Sequence, residues 1–111
     1  MKTTTYGVWT VKIESDGYFE NRGDGCDFPL TVDGVIAAFA AADNAGAEWT
    51  VIVEKRIGDG FRCHDMEDAT VSHIVSTGTF LSGVKVPARV YRVCRSAVSR
   101  LHIRKAATFS N

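Results

Sequence analysis

No apolar run in the 111-residue chain is long enough to cross a membrane as a helix. The longest, Val35 to Ala42, has eight residues, against the roughly 18 that a span requires. The N-terminus carries one lysine followed by Thr-Thr-Thr and lacks the apolar block of a secretory leader, so the expected location is the cytoplasm. Cysteine is sparse. Cys26, Cys63 and Cys94 are odd in number and far apart, which excludes a complete disulfide framework and suits reduced thiols.

Catalytic and cofactor signatures are missing as well. There is no Walker loop, no G-x-G-x-x-G and no G-x-S-x-G, so neither phosphate cradling nor a nucleophile elbow has support. Cys26, Cys63, His64, His73, Cys94 and His102 lack the C-x₂-C or H-x₃-H spacing of a zinc site, and the loop around Asp24 lacks the oxygen ligands of an EF-hand. Arg22-Gly23-Asp24 reads as a tight turn. Cys63 and His64 are neighbours in sequence, but on a strand they point to opposite faces, and the nearby Asp65, Glu67 and Asp68 disfavour a thiolate. Adjacent Glu67 and Asp68 do not converge on one bond. The expectation is no catalytic residue, no cofactor and no metal.

The last absence divides the chain. From residue 85 onward there is no aspartate or glutamate, while seven of the thirteen basic residues fall between Lys85 and Lys105. All thirteen acids and the other six basic residues precede them. The net charge of zero therefore conceals about −7 followed by +7. A balanced chain has little non-specific affinity for nucleic acid as a whole, but a local basic face remains free to act.

What is present is ordinary globular composition, 45% hydrophobic and 23% charged, in a length that fits one domain, residues 1–111, with 106–111 expected to fray. Tyr6 to Glu14 alternates, with Trp9, Val11 and Ile13 on the side expected to be buried. Ser15-Asp16-Gly17 turns toward Tyr18 to Glu20, giving a first hairpin. Asn21 to Phe28 is expected to be an exposed loop. Thr31 caps a helix to Asn44 and Gly46, helped by Asp33 near the positive dipole end and by a Leu30/Val35 staple. Its buried stripe is expected at Val32, Val35, Ile36 and Phe39, with a small face at Ala37, Ala38 and Ala41 that suits helix propensity or close approach of another helix.

Glu48 to Lys55 alternates again, with Trp49, Val51 and Val53 inward, and turns at Ile57 to Gly60 toward Phe61 to His64 as a second hairpin. Residues 65–84 pull both ways. Asp65, Glu67 and Asp68 look like a helix start, whereas Thr70 to Val75 is β-branched, and the preferred reading is a short helix or irregular segment. After Pro87 a helical period of 100° gathers Val90, Val93, Cys94, Ala97, Val98 and Leu101 on one side. Arg92, Arg95, Ser96 and Ser99 fall opposite, with Arg89 and Arg100 on a flank.

The expected fold is α+β: an antiparallel sheet of two hairpins in β-β-α-β-β order around one central helix, followed by a basic amphipathic C-terminal helix. The leading functional expectation is a non-enzymatic binding protein, an inhibitor or adaptor that occupies a macromolecular surface. Its basic face would comprise Arg89, Arg92, Arg95, Arg100, Arg104 and Lys105, whose guanidinium forks suit carboxylates and phosphates. Acidic loops at Asp24, Asp27, Asp65, Glu67 and Asp68 would meet a basic site. Small size, uneven charge and missing enzyme motifs are similar to accessory proteins of phages and mobile elements, an analogy of class. A protein partner leads. The alternatives are nucleic-acid binding by the C-terminal helix and a small cysteine- or metal-dependent enzyme. No membrane partner is expected, and edge strands leave a homodimer open.

Overall fold

Alternating β-branched and aromatic residues build two long strands, and a computed structural model places them side by side. It describes residues 3–13, 19–21, 27–59 and 62–109, and the side chains of residues 4–13, 28–58 and 67–102. The elements follow in the order β1 (Thr3–Ile13), β2 (Phe19–Asn21), β3 (Asp27–Phe28), α1 (Val32–Ala45), β4 (Trp49–Asp59), β5 (Arg62–Thr70), α2 (Val71–Thr77) and α3 (Ala88–Phe109). The predicted turn at Ser15–Gly17 and most of the Asn21–Phe28 loop lie outside the described residues.

The fold is α+β. Its sheet centres on three antiparallel strands in the order β1-β4-β5, and the short β2 and β3 line the outer edge of β1. β1 and β4 pair without a shift from Thr3↔Gly58 to Lys12↔Trp49. β5 pairs with β4, with an irregularity between Ile57 and Gly58. No described helix is long and apolar enough to cross a membrane.

One row of small apolar residues, Val8, Val53 and Ala69, crosses the three strands and is fully buried. Val51 extends it. Against this face pack Val35, Ala38 and Ala42 of α1, Val71 and Ile74 of α2, Phe80 and Val86 of the following loop, and Val90, Cys94 and Ala97 of α3. Each large aliphatic or aromatic side chain so buried contributes about 1.5–3 kcal/mol.

Three expectations are corrected. The order is not β-β-α-β-β with one helix after it, because β3 intervenes before α1 and two helices follow β5. In β1 the helix-facing residues are even-numbered. The pairing of Val8 with Val53 and Thr10 with Val51 forces this once Val51 and Val53 face inward, so Trp9, Val11 and Ile13 lie on the far face of the sheet. Third, Asp65, Glu67 and Asp68 belong to β5, and the helix begins only after Thr70, whose hydroxyl accepts the His73 N–H at 3.1 Å. Cross-strand pairing of Lys55 with Glu67 holds the acidic stretch extended, while the cap overrides the β-branched preference of Val71 to Val75.

α1 begins and ends where its sequence signals lie. The Thr31 hydroxyl accepts the Gly34 N–H at 2.9 Å, and Gly46, at φ 129°, donates its N–H to the Ala42 carbonyl. Its buried side is broader than the predicted stripe. Ala38 and Ala42 are fully covered, whereas Val32, Ile36 and Phe39 are half-buried. The cause is α3, which packs on α1 as well as on α2. Of the predicted small face only Ala38 is buried; Ala41 is half-buried and Ala37 exposed.

Gly34 is required by a close approach. A Cβ there would stand 2.1 Å from the Pro29 carbonyl oxygen, a backbone atom that cannot swing aside. Gly34→Ala is therefore expected to destabilise the domain by about 1–3 kcal/mol, even though alanine is the better helix former by about 1 kcal/mol. Urea unfolding monitored by circular dichroism reads the difference.

Candidate functional site

α3 divides along its length as its periodicity requires. Val90, Cys94 and Ala97 are buried, Val93, Val98 and Leu101 are half-buried, and Arg89, Arg92, Arg95, Ser96, Ser99, Arg100 and His102 are exposed. Burial raises the Cys94 thiol to about 11, so this sulfur stays protonated near neutral pH and is a weak nucleophile.

The basic residues meet different surroundings. The Arg89 guanidinium lies 5.1 Å from the centroid of the Tyr6 ring on β1, a cation–π contact. Arg100 approaches Asp33 of α1 at 3.9 Å, with side chains 58% and 94% exposed. An exposed pair at that distance contributes little. No described carboxylate lies within 4.0 Å of Arg92 or Arg95. Arg104 and Lys105 belong to α3, but their side chains lie outside the described residues.

Four of the five acidic positions lie on strands, not loops. Asp65, Glu67 and Asp68 stand on β5, and Asp27 is in β3; the side chains of Asp27 and Asp65 and the whole of Asp24 lie outside the described residues. Glu67 is occupied, 3.7 Å from the Lys55 ammonium and accepting the Ser82 hydroxyl at 2.8 Å. Cys63 and His64 also stand on β5, their side chains likewise outside. Among the described residues no three His, Cys, Asp or Glu side chains gather as metal ligands.

A second cluster was not foreseen. On the far face of the sheet Glu54, only 5% exposed, stands directly opposite Asp68 across the β4–β5 ladder. The Arg56 Nε–H donates to the Glu54 carboxylate, and the guanidinium lies 5.0 Å from the centroid of Trp9. Gly7 is opposite Glu54 on β1 and contributes no side chain between Trp9 and Thr5. The signals were a glutamate in alternation with Ile52 and a glycine inside a strand, but their meeting depends on the register.

Desolvation first, and repulsion from Glu54 second, raise the Asp68 pKa above the ordinary carboxylate value. A carboxyl raised in the fold binds its proton more tightly there than in the unfolded chain. Its contribution to stability is thus lost as pH rises through the folded-state pKa and regained as pH falls toward the unfolded value near 3.8. Asp68→Asn is expected to raise the urea midpoint at pH 7, with the gain shrinking as pH falls toward about 4.

A groove of about 420 Å³ lies between the end of α2 and the start of α3, bordered by Ser76, Thr77, Lys85 and Tyr91. It carries one cation and neither acid nor thiol. No protein family, curated protein or solved structure matches the chain.

Proposed function

We propose that this chain is a non-enzymatic binding protein, of inhibitor or adaptor type, that docks an acidic surface of a protein partner on the outer face of α3. The observation that carries this reading is the exposure of Arg92 and Arg95 with no described carboxylate in reach. Their cost-free position in water becomes an attraction wherever a partner supplies carboxylates in the geometry of a guanidinium fork. Ser96 and Ser99 on the same outer face add short hydroxyl donors and acceptors.

Asp33 argues for a protein rather than a nucleic-acid partner. It is exposed beside Arg100, so the rim of the basic face is of mixed sign. A continuous phosphate backbone would be repelled there, whereas a protein surface can place a lysine or arginine against it. The chemistry of the Cys94 thiol suits a core residue and supplies no reactive group to this face.

The test is capture on the immobilised chain from a lysate of the source cells, with Arg92→Glu/Arg95→Glu as the matched control. The expected result is a protein retained at low salt by the wild type, released by moderate salt and absent from the variant. Retention abolished by nuclease identifies nucleic acid as the ligand, and equal retention by both chains removes the reading.

A further inference from the structure

The β1–β4 register fixes which backbone groups of β1 face outward. Ile13 donates its N–H to the Glu48 carbonyl at 3.0 Å, one step beyond the pair Lys12↔Trp49. In an antiparallel pair alternate residues make these bonds. Odd-numbered residues of β1 therefore bond to β4, and even-numbered ones turn their N–H and C=O the other way. Val8 turns toward Phe28 of β3, and Lys12 toward Glu20 of β2.

Pairing on that outer edge stops at Val8↔Phe28. The next residue, Pro29, has no N–H to donate, and the chain turns there into α1. Among the described residues no backbone group bonds the outer edge of Thr3–Gly7. The amide and carbonyl of Thr4 and of Tyr6 thus have no backbone partner among the described residues, along an edge whose sequence, Thr-Thr-Thr-Tyr-Gly, has neither charge nor proline. Native sheets usually protect such an edge. The opposite edge of this sheet is protected: β5 carries Arg62, Asp65, Glu67 and Asp68, and the Leu81 N–H occupies the Asp68 carbonyl at 3.0 Å.

Two further observations say what fits the open edge. A cavity of about 130 Å³ opens at it, lined by Thr5, Tyr6, Gly7, Trp9 and Arg56, where the missing side chain of Gly7 leaves room. Each face of the sheet also presents a cation beside it: on the far face Arg56 over Trp9, its Nε–H already bonded to Glu54 so that only its terminal nitrogens face a partner, and on the helix face Arg89 over Tyr6. An incoming strand points successive side chains to alternate faces, so acids at neighbouring positions reach one arginine each.

We infer that the outer edge of Thr3–Gly7 is a β-augmentation site for an extended acidic segment of a protein partner. The partner's backbone pairs with Thr4 and Tyr6, one small side chain enters the cavity under Arg56, and carboxylates meet Arg56 and Arg89. Main-chain bonds supply affinity and the cavity and arginines supply selectivity. A second copy of this chain is a poorer occupant, because antiparallel self-pairing across a two-fold axis would bring Arg56 and Arg89 of one copy toward those of the other. This site is separate from the outer face of α3 and stands whether or not that face binds.

The experiment uses the full chain and a capped, fluorescently labelled peptide of about six residues rich in glutamate and valine. Saturable binding is expected by fluorescence anisotropy, with slowed hydrogen exchange at the Thr4 and Tyr6 amides. Methylating alternate peptide amides, or replacing its glutamates by lysine, is expected to weaken binding at least about tenfold. Thr4→Pro removes an outward N–H without touching the bonds to β4 and is expected to weaken binding about tenfold, whereas Arg92→Glu/Arg95→Glu leaves it unchanged. No binding up to about 1 mM peptide, undiminished binding of the methylated peptide, or sedimentation showing a dimer that Thr4→Pro dissolves would each overturn the assignment.

Discussion

Phe80→Ala is expected to lower the unfolding free energy by about 3–5 kcal/mol, the cost of emptying a large aromatic site in a packed interior. Phe80 is 1% exposed and belongs to the core shared by the sheet and the three described helices, although it lies in a loop between α2 and α3. Its backbone is held too. The Phe80 N–H donates to the Val84 carbonyl at 2.8 Å, and its own carbonyl accepts the Gly83 N–H at 3.0 Å, so the loop has little freedom to collapse into the void. A small domain has only about 5–15 kcal/mol in total, so the melting temperature should fall by roughly 15 °C or more. Leu81→Ala is the control: the adjacent residue is 56% exposed and should change stability by no more than about 0.5 kcal/mol. Calorimetry of both variants measures the contrast.

Arg92→Glu/Arg95→Glu is expected to have the largest effect on binding. Truncating one member of a desolvated interfacial charge pair costs about 2–5 kcal/mol, and reversal adds repulsion, so the pair of substitutions should weaken the partner complex by about 100-fold or more. Stability should hardly move. Both side chains are exposed and have no described carboxylate within reach, so no internal pair is broken, and surface changes of this kind stay within about 0.5 kcal/mol. The two effects separate docking from folding. Arg100→Glu should weaken the complex less than either of the other reversals, because Arg100 already leans toward Asp33.

The helices were the most legible part of the sequence because their signals are local. Thr31 and Gly46 sit at the ends of α1, and the 100° period of α3 separates Val90, Cys94 and Ala97 from Arg92 and Arg95 without knowledge of any neighbour. β1 was harder for a physical reason. Alternation gives a period of two but not the side that is covered, and β1 is apolar on both sides, with Val8 and Val11 both buried. Only its pairing with β4 decides that Val8 joins the main core.

Residues 65–70 misled for a related reason, although the short helix expected in this stretch is present at Val71–Thr77. Acids at Asp65, Glu67 and Asp68 resemble the first turn of a helix until Lys55 is found opposite Glu67. The β-branched run after them is helical because Thr70 satisfies the His73 amide. The Glu54–Arg56–Trp9 cluster and the open edge at Thr4 and Tyr6 are also consequences of register. The cluster brings Trp9 to Glu54 and Arg56, and the edge is set by pairing of Thr4 with Ile57, in each case across more than 40 positions, and no local pattern encodes such a meeting. The charge division, by contrast, was visible at once, and its meaning turned on geometry: among the described residues, the acids of the first 84 positions lie mainly along the sheet and on α1, and only Asp33 comes near the outer arginines of α3.

The most direct measurement is arginine modification with phenylglyoxal, read residue by residue by mass spectrometry, on the free chain and on its complex with the captured partner. Binding on the outer face of α3 predicts that Arg92 and Arg95 react readily in the free protein and are shielded in the complex. Equal modification of both residues in the two states would contradict it.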